Sequence, residues 1–250
     1  MTRKLFDITG TDRTDFLQGL ITNDMAKLSD GLLYAALLTP QGKFLTDFFL
    51  YEHGDTITLD APASTADDLM RRLTMYRLRA NVQIAPSTLN VKRGTGTAPA
   101  TALPDPRHAA LGWRLYGTEV GTETGSDATD YDAIRVAHCI PETGIELIPN
   151  ETYILEAGFE HLNGVDFRKG CYVGQEIIAR MKHKTTLKKG FVTVGIDGTA
   201  PIGTPITSNG KPTGTLFTQS GNQAIAHLRF DRAKGELLAG DATITPPSSF

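Results

Sequence analysis

An α+β body followed by a small antiparallel β-barrel is the fold class this sequence predicts. Two patterns along the 250 residues carry the prediction. Up to about residue 188, runs with helical apolar spacing are interleaved with short apolar strand runs. From Gly190 onward, brief β-rich runs alternate with Gly, Pro, Asn and Ser, the texture of a small antiparallel barrel or sandwich. The expected division is therefore a body over 1–188, with an internal boundary somewhere in 94–129, and a barrel over 189–250. No internal repeat is visible.

The elements follow in order. Thr11 or Asp12 can cap a helix running to about Leu20, because Phe16, Leu17, Leu20 and Ile21 share one face. Gly31 to Asp60 reads as strands. Tyr34 to Leu38 is apolar, Pro40-Gln41-Gly42 turns the chain, and Phe44 to Tyr51 returns. Gly54-Asp55 makes a second turn before Ile57 to Leu59. Ser64 and Asp67 have capping-box spacing at the start of a second helix, with Leu69, Met70, Leu73, Met75 and Tyr76 as its apolar surface. Val82 to Ile84 and Leu89 to Val91 are short strands. Residues 94–107 and 117–129 read as surface loops. Asp130 to Cys139 is a helix stopped by Pro141, and Gln175 to Met181 forms another. Phe191 to Ile196, Thr215 to Phe217 and Ala224 to Leu228 are strands of the barrel.

Composition narrows the function classes. A hydrophobic share of 40% with 21% charged residues and a net charge of −3 is ordinary for a globular chain. No apolar run approaches the ~18 residues of a membrane helix, and Leu5 to Ile8 is too short for a signal peptide, so no membrane partner is expected. Cys139 and Cys171 are too few for a disulfide framework and point to a reducing compartment. They are also too few to hold an iron–sulfur cluster alone, which usually takes about four cysteine ligands. The six histidines show no metal-ligand spacing, so no permanently bound metal is expected. Phosphate-loop, nucleophile-elbow and dinucleotide patterns are absent.

The most informative stretch is Lys169-Gly170-Cys171-Tyr172-Val173-Gly174-Gln175-Glu176. It sets a cysteine between two glycines, in a turn that feeds a helix. A neighbouring cation, Lys169, and a helix N-terminus both favour thiolate over thiol. The plain alternative is a buried, inert cysteine in a glycine turn. Around it, Arg168, Lys169, Arg180, Lys182, His183, Lys184, Lys188 and Lys189 gather with Glu176 as the only acid. Such a run is either a solvated face or a surface for an anion: a folate glutamate tail, a phosphate or RNA. No RNA-binding module is recognisable, so a nucleic acid is not the expected direct ligand.

This octapeptide resembles the signature of the YgfZ-type folate-binding proteins, relatives of the aminomethyltransferase of the glycine cleavage system. The blocks Gly10 to Asp24, Leu38-Thr39-Pro40-Gln41-Gly42-Lys43, Tyr76-Arg77-Leu78-Arg79 and Pro141 to Leu147 with Glu151 are similar to family blocks in the same order. Together they span about residues 5 to 235. The resemblance implies an aminomethyltransferase-like folate-binding body of two interlocked parts around a central opening, with a C-terminal barrel. It implies a tetrahydrofolate-binding factor for assembly or repair of iron–sulfur enzymes, partnered by those enzymes or by cluster carriers, and a cytoplasmic location. Cys171, activated by Lys169, would be the catalytic pair, and Glu146, Arg180, Gln175 and Glu176 would contact tetrahydrofolate. Ile145 stands where relatives have an aromatic residue before the acid. Two alternatives remain. One is a folate-dependent one-carbon transferase using Asp68 (Asp67 is the competing capping acid). The other is a non-catalytic adaptor in which Cys171 is structural.

Overall fold

The structure, a computed structural model, describes residues 2–120, 129–184 and 186–248. Most of the loop expected at 117–129 therefore lies outside the described residues. Compactness divides the chain into two units. The first comprises 1–129, 149–151 and 159–179; the second comprises 130–148, 152–158 and 180–250. This differs from a single cut at 188, because the barrel unit also takes in the helix and turns that follow residue 130.

The first unit is built on a five-stranded antiparallel sheet in the order β2-β3-β4-β1-β5. Its strands are β1 (Arg3–Thr9), β2 (Leu33–Leu38), β3 (Phe44–His53), β4 (Thr56–Pro62) and β5 (Gln83–Pro86). The β2, β3 and β4 runs match the sequence reading, whereas β1 was not anticipated. One face of the sheet supplies Leu33, Ala35, Leu37, Phe48, Leu50, Ile57, Leu59 and Ala61 to the core. Leu17 from α1 (Arg13–Gln18) and Ala66, Leu69 and Leu73 from α2 (Ala63–Arg77) complete that core. Ser64 is not the cap of α2; Pro62 occupies that position with no side-chain cap, and Asp67 instead bonds Lys4 at 2.8 Å. Asp24 caps a short 3-10 helix, Met25–Asp30.

Strand residues of the opposite parity face a polar core. Asp60 accepts from Arg3 at 2.6 Å and from Arg114 at 3.2 Å, and Asp105 accepts from Arg107 at 2.8 Å and Arg114 at 3.1 Å. All three guanidinium groups lie within 5.4 Å of the Phe49 ring centroid. Burial opposes the charge of Asp105, but its two arginines outweigh it and hold the carboxyl well below the usual range. This explains why β2 to β4 are buried on both faces. A second sheet, β6-β8-β7, joins β6 (Asn90–Gly94), β7 (Leu103–Pro104) and β8 (Trp113–Gly117). So 94–107 is not all loop.

In the second unit a closed antiparallel barrel runs β10-β11-β12-β9-β14-β13. The strands are β9 (Lys189–Asp197), β10 (Pro205–Ser208), β11 (Lys211–Ser220), β12 (Gln223–Arg229), β13 (Leu237–Ala239) and β14 (Ala242–Thr245). Pairing of β10 with β13 closes it, which removes exposed edges. Val194, Ile206, Leu216, Ala226, Leu228, Leu237 and Ile244 fill the interior. α3 (Tyr131–Ala137) is capped by the Asp130 side chain, which accepts from the Ala133 amide. α4 (Gln175–Lys184) starts in the first unit, and its last turns are counted with the second. Among the described residues, no helix is long and apolar enough to cross a membrane.

Candidate functional site

The cysteine signature is fixed in the first unit by three anchors. The first is upstream. Asp166 is held by Lys27 at 2.6 Å and accepts from the Arg168 amide at 2.7 Å. Burial opposes its charge, yet these bonds hold its carboxyl below the usual range. The Thr22 hydroxyl also donates to the Gly164 carbonyl at 2.6 Å, tying this segment to the start of the chain.

The second anchor is Lys169. Its ammonium is buried and donates to the carbonyls of Gln18, Ile21 and Asn23 at 2.7, 2.7 and 3.0 Å. It also lies 5.0 Å from the Tyr172 ring centroid. Burial pushes Lys169 down to about 8, against nearby Asp24 and Asp166, which favour its charge. An ammonium has three donors, and all three are used by carbonyls. Lys169, expected to activate Cys171, spends all three donors on carbonyls and so ties the cysteine turn to residues 18–23.

The third anchor is a reciprocal glycine contact. Gly174 has φ +83°, and a Cβ there would lie 2.5 Å from the Thr39 carbonyl oxygen and 3.1 Å from the Gly42 Cα. Gly42 has φ +72°, and its Cβ would lie 2.9 Å from Ile177. The Pro40-Gln41-Gly42 turn thus seats directly against the start of α4. Gly170 has an ordinary φ and open space around its Cβ position. Of the two glycines flanking Cys171, only Gly174 is conformationally required.

Between the anchors Cys171 is a free, exposed thiol. It precedes the first residue of α4 by four positions, so it lies ahead of the helix rather than in its first turn. Gln175 is half-buried, and Glu176 and Arg180 are exposed. The latter two stand one turn apart on α4, and among the described residues no ion pair joins them. The other cysteine contrasts sharply. Cys139 follows the end of α3 at φ +49°, and burial pushes its thiol up to about 12, with a Thr193 hydrogen bond pulling the other way.

Glu146 belongs to the second unit and is buried. Its Oε2 accepts from Arg135 at 3.0 Å and from the Glu142 amide at 2.8 Å. Its Oε1 accepts from the Thr218 hydroxyl at 2.5 Å. Arg135, itself buried, also pairs with Asp132 and Glu142. The carboxylate is therefore occupied by the protein, and a ligand ring could bond it only by displacing Thr218 or the Glu142 amide. The candidate residues do not all gather in one unit: Cys171, Lys169, Gln175 and Glu176 lie in the first, and Glu146 and Arg180 in the second.

Asp68, the aspartate of the transferase alternative, bonds Arg72 at 2.6 Å and also Arg71, on an accessible part of α2. These bonds, Arg72 first, lower its carboxyl below the usual range despite a small burial effect. Asp68 is thus spent on its own helix. Among the described residues, no group of three His, Cys, Asp or Glu side chains converges as a metal-binding set. Sequence reasoning missed the Asp166–Lys27 pair and the Thr39–Gly174 contact. The first had no signal, since its partners are far apart in sequence. The second had one, in the glycine of Pro40-Gln41-Gly42.

Comparison with known proteins now bears on this geometry. Residues 188–249 match the family model of the CAF17 C-terminal beta-barrel domain. The chain is 30% identical to the mitochondrial iron-sulfur cluster assembly factor IBA57 of Mus musculus, over 94% of this chain and 78% of that protein. The Homo sapiens protein of the same name gives 30% over the same shares. A mitochondrial IBA57 homolog of Neosartorya fischeri is 29% identical over 97% of this chain and 67% of the relative. In structure, the chain is similar to the glycine cleavage system aminomethyltransferase T from Bartonella henselae, with TM-score 0.73 at 15% identity, covering 98% of this chain and 82% of that one. That likeness shows an aminomethyltransferase-like fold. The expected cytoplasmic location is overturned, because these curated relatives are mitochondrial. At this identity and coverage, the chain belongs to the IBA57 family of iron–sulfur cluster assembly factors.

Proposed function

We propose that this protein is a YgfZ-type maintenance factor for iron–sulfur enzymes that acts through Cys171 and also binds tetrahydrofolate or a derivative. The observation that carries the reading is the exposed Cys171 thiol, set between clamps that hold its turn from both sides. A soft thiolate is the ligand that iron and sulfur species prefer. On binding an iron atom of a cluster held by a partner, the thiol releases its proton to solvent and the sulfur becomes a terminal ligand. A client thiolate can then displace the Cys171 sulfur, which takes a proton back from solvent, and the cluster departs without redox change. One sulfur does not complete a cluster site, so the other ligands come from a carrier or client protein. Iron–sulfur enzymes or cluster carriers are accordingly the proposed partners.

The folate part of the reading rests on the family resemblance. Gln175, Glu176 and Arg180 have accessible side chains that suit a polar ligand. Glu146 fits less well as a direct ligand, since its oxygens are already bonded. The basic run from Arg180 to Lys189 suits the glutamate tail.

The test combines two measurements. Mass spectrometry of the purified protein should find a reduced folate and adducts confined to Cys171. Cys171→Ser should abolish rescue of iron–sulfur enzyme activity in cells lacking the native copy, at an unchanged melting temperature. A folded Cys171→Ser protein with full rescue would reduce Cys171 to a structural residue and remove the proposal.

A further inference from the structure

The barrel carries a feature with no part in the cysteine site. A groove of about 530 Å³ is lined by Ser208, Asn209, Lys211, Thr213, Asp231, Arg232 and Lys234. Two separate pieces of chain build it. One is the β10–β11 hairpin, whose Asn209-Gly210 turn has φ +49° and +72°, the geometry of a tight two-residue hairpin. The other is the segment after β12. The buried Ser208 hydroxyl staples the two together by donating to the Lys234 carbonyl at 2.7 Å. The buried Thr213 hydroxyl donates to the Lys211 carbonyl at 3.2 Å. Each hydroxyl keeps acceptor capacity, and the staple joins the hairpin that carries Lys211 to the segment that carries Arg232 and Lys234.

The electrostatics are lopsided. Three exposed cations line the groove against one acid, Asp231, and Arg229 from outside the lining already holds that acid at 3.4 Å. Bonds to Arg229 lower its carboxyl below the usual range. Lys211 and Lys234 form no ion pair among the described residues. A net positive lining favours an anionic ligand. Their long stems supply apolar wall while the heads stay polar. The volume falls in the range of small-molecule sites and exceeds what a single oxyanion needs.

We infer that this barrel groove binds a small molecule bearing two adjacent phosphates, with Lys211, Arg232 and Lys234 sharing its charge. The planar fork of Arg232 suits bidentate contact with one phosphate, and the two ammonium groups act as point charges on the other. The inference stands apart from the thiol chemistry, since every residue in it lies on the barrel.

Calorimetric titration of the full chain with inorganic pyrophosphate tests it, beside orthophosphate, citrate and a short uridine oligonucleotide. Saturable one-to-one binding of pyrophosphate is expected, about tenfold or more tighter than orthophosphate or citrate. The double variant Lys211→Ala/Lys234→Ala should weaken it by about tenfold or more at an unchanged melting temperature. Arg232→Gln, measured separately, should act in the same direction. Four results would overturn the proposal: no pyrophosphate binding; citrate binding as tightly; the oligonucleotide binding more tightly than pyrophosphate; or a loss that follows Lys182→Ala/Lys184→Ala instead, which would place the anion on the run at the end of α4.

Discussion

Gly174→Ala isolates the link between backbone conformation and placement of the thiol. At φ +83° an L-residue is strained by about 1–2 kcal/mol. The new methyl would also sit 2.5 Å from the Thr39 carbonyl oxygen and 3.1 Å from the Leu38 Cβ. Both neighbours belong to the β2–β3 hairpin, so the relief must come from backbone movement, at about 1–3 kcal/mol. Lower unfolded-state entropy offsets less than about 1 kcal/mol of this. The net loss should be about 3 kcal/mol, or roughly 6–12 °C in melting temperature for a chain of this size. Trp113, the single tryptophan, lies on β8 in the same unit, so its fluorescence reports the relevant unfolding. Gly170→Ala is the control. With open space and an ordinary φ, it should change stability by no more than about 0.5 kcal/mol. Alkylation of Cys171 should then be altered in Gly174→Ala alone. Equal melting of Gly174→Ala and wild type, or an equal loss in both variants, would refute the glycine contact as the device that seats the cysteine turn.

Three further outcomes are expected. Lys169→Met leaves three carbonyls without their donor and should cost about 2–4 kcal/mol by urea denaturation; wild-type stability would refute the clamp. Glu146→Ala should destabilise by about 3–5 kcal/mol, because it removes one acid from the buried Arg135 and unpairs Thr218 and the Glu142 amide; a stable variant that loses only folate affinity would return Glu146 to the ligand. Cys139 is held protonated up to about 12 by burial, whereas the unfolded chain releases that proton near the ordinary value of 9.0. Its contribution is therefore complete below pH ~9 and is lost as pH rises toward about 12; Cys139→Ala should show a flatter fall in stability than wild type between those limits, and identical slopes would count against it.

Local pattern made much of this fold legible. The apolar run Tyr34 to Leu38, the turn at Pro40-Gln41-Gly42 and the short barrel strands all declare themselves within a few residues. β1 does not, because Arg3, Lys4 and Asp7 interrupt its apolar positions, and its role depends on Asp60, 57 residues away. The same distance hides the guanidinium cluster around Phe49. At the site, the special backbone at Gly174 could be anticipated from its residue type, but the use of Lys169 could not. A lysine beside a cysteine reads as an activator, and nothing local shows that three carbonyls near residues 18–23 take its donors. Glu146 misleads in the same way, since its partners Arg135 and Thr218 come from either side in sequence.

The division of the chain has a temporal consequence. Residues 159–179 belong to the first unit although most of the second unit's helix α3 segment is made before them. Synthesis therefore leaves the first unit incomplete until the ribosome has passed residue 179, when Thr22 and Asn23 can find Gly164 and Asn163 across 142 and 140 residues. Contacts of such sequence separation are slow to form. The peptide that arrives last is the one bearing Cys171. A nascent or truncated chain thus exposes its thiol on an unanchored segment, and the cysteine gains its fixed surroundings only as the unit closes.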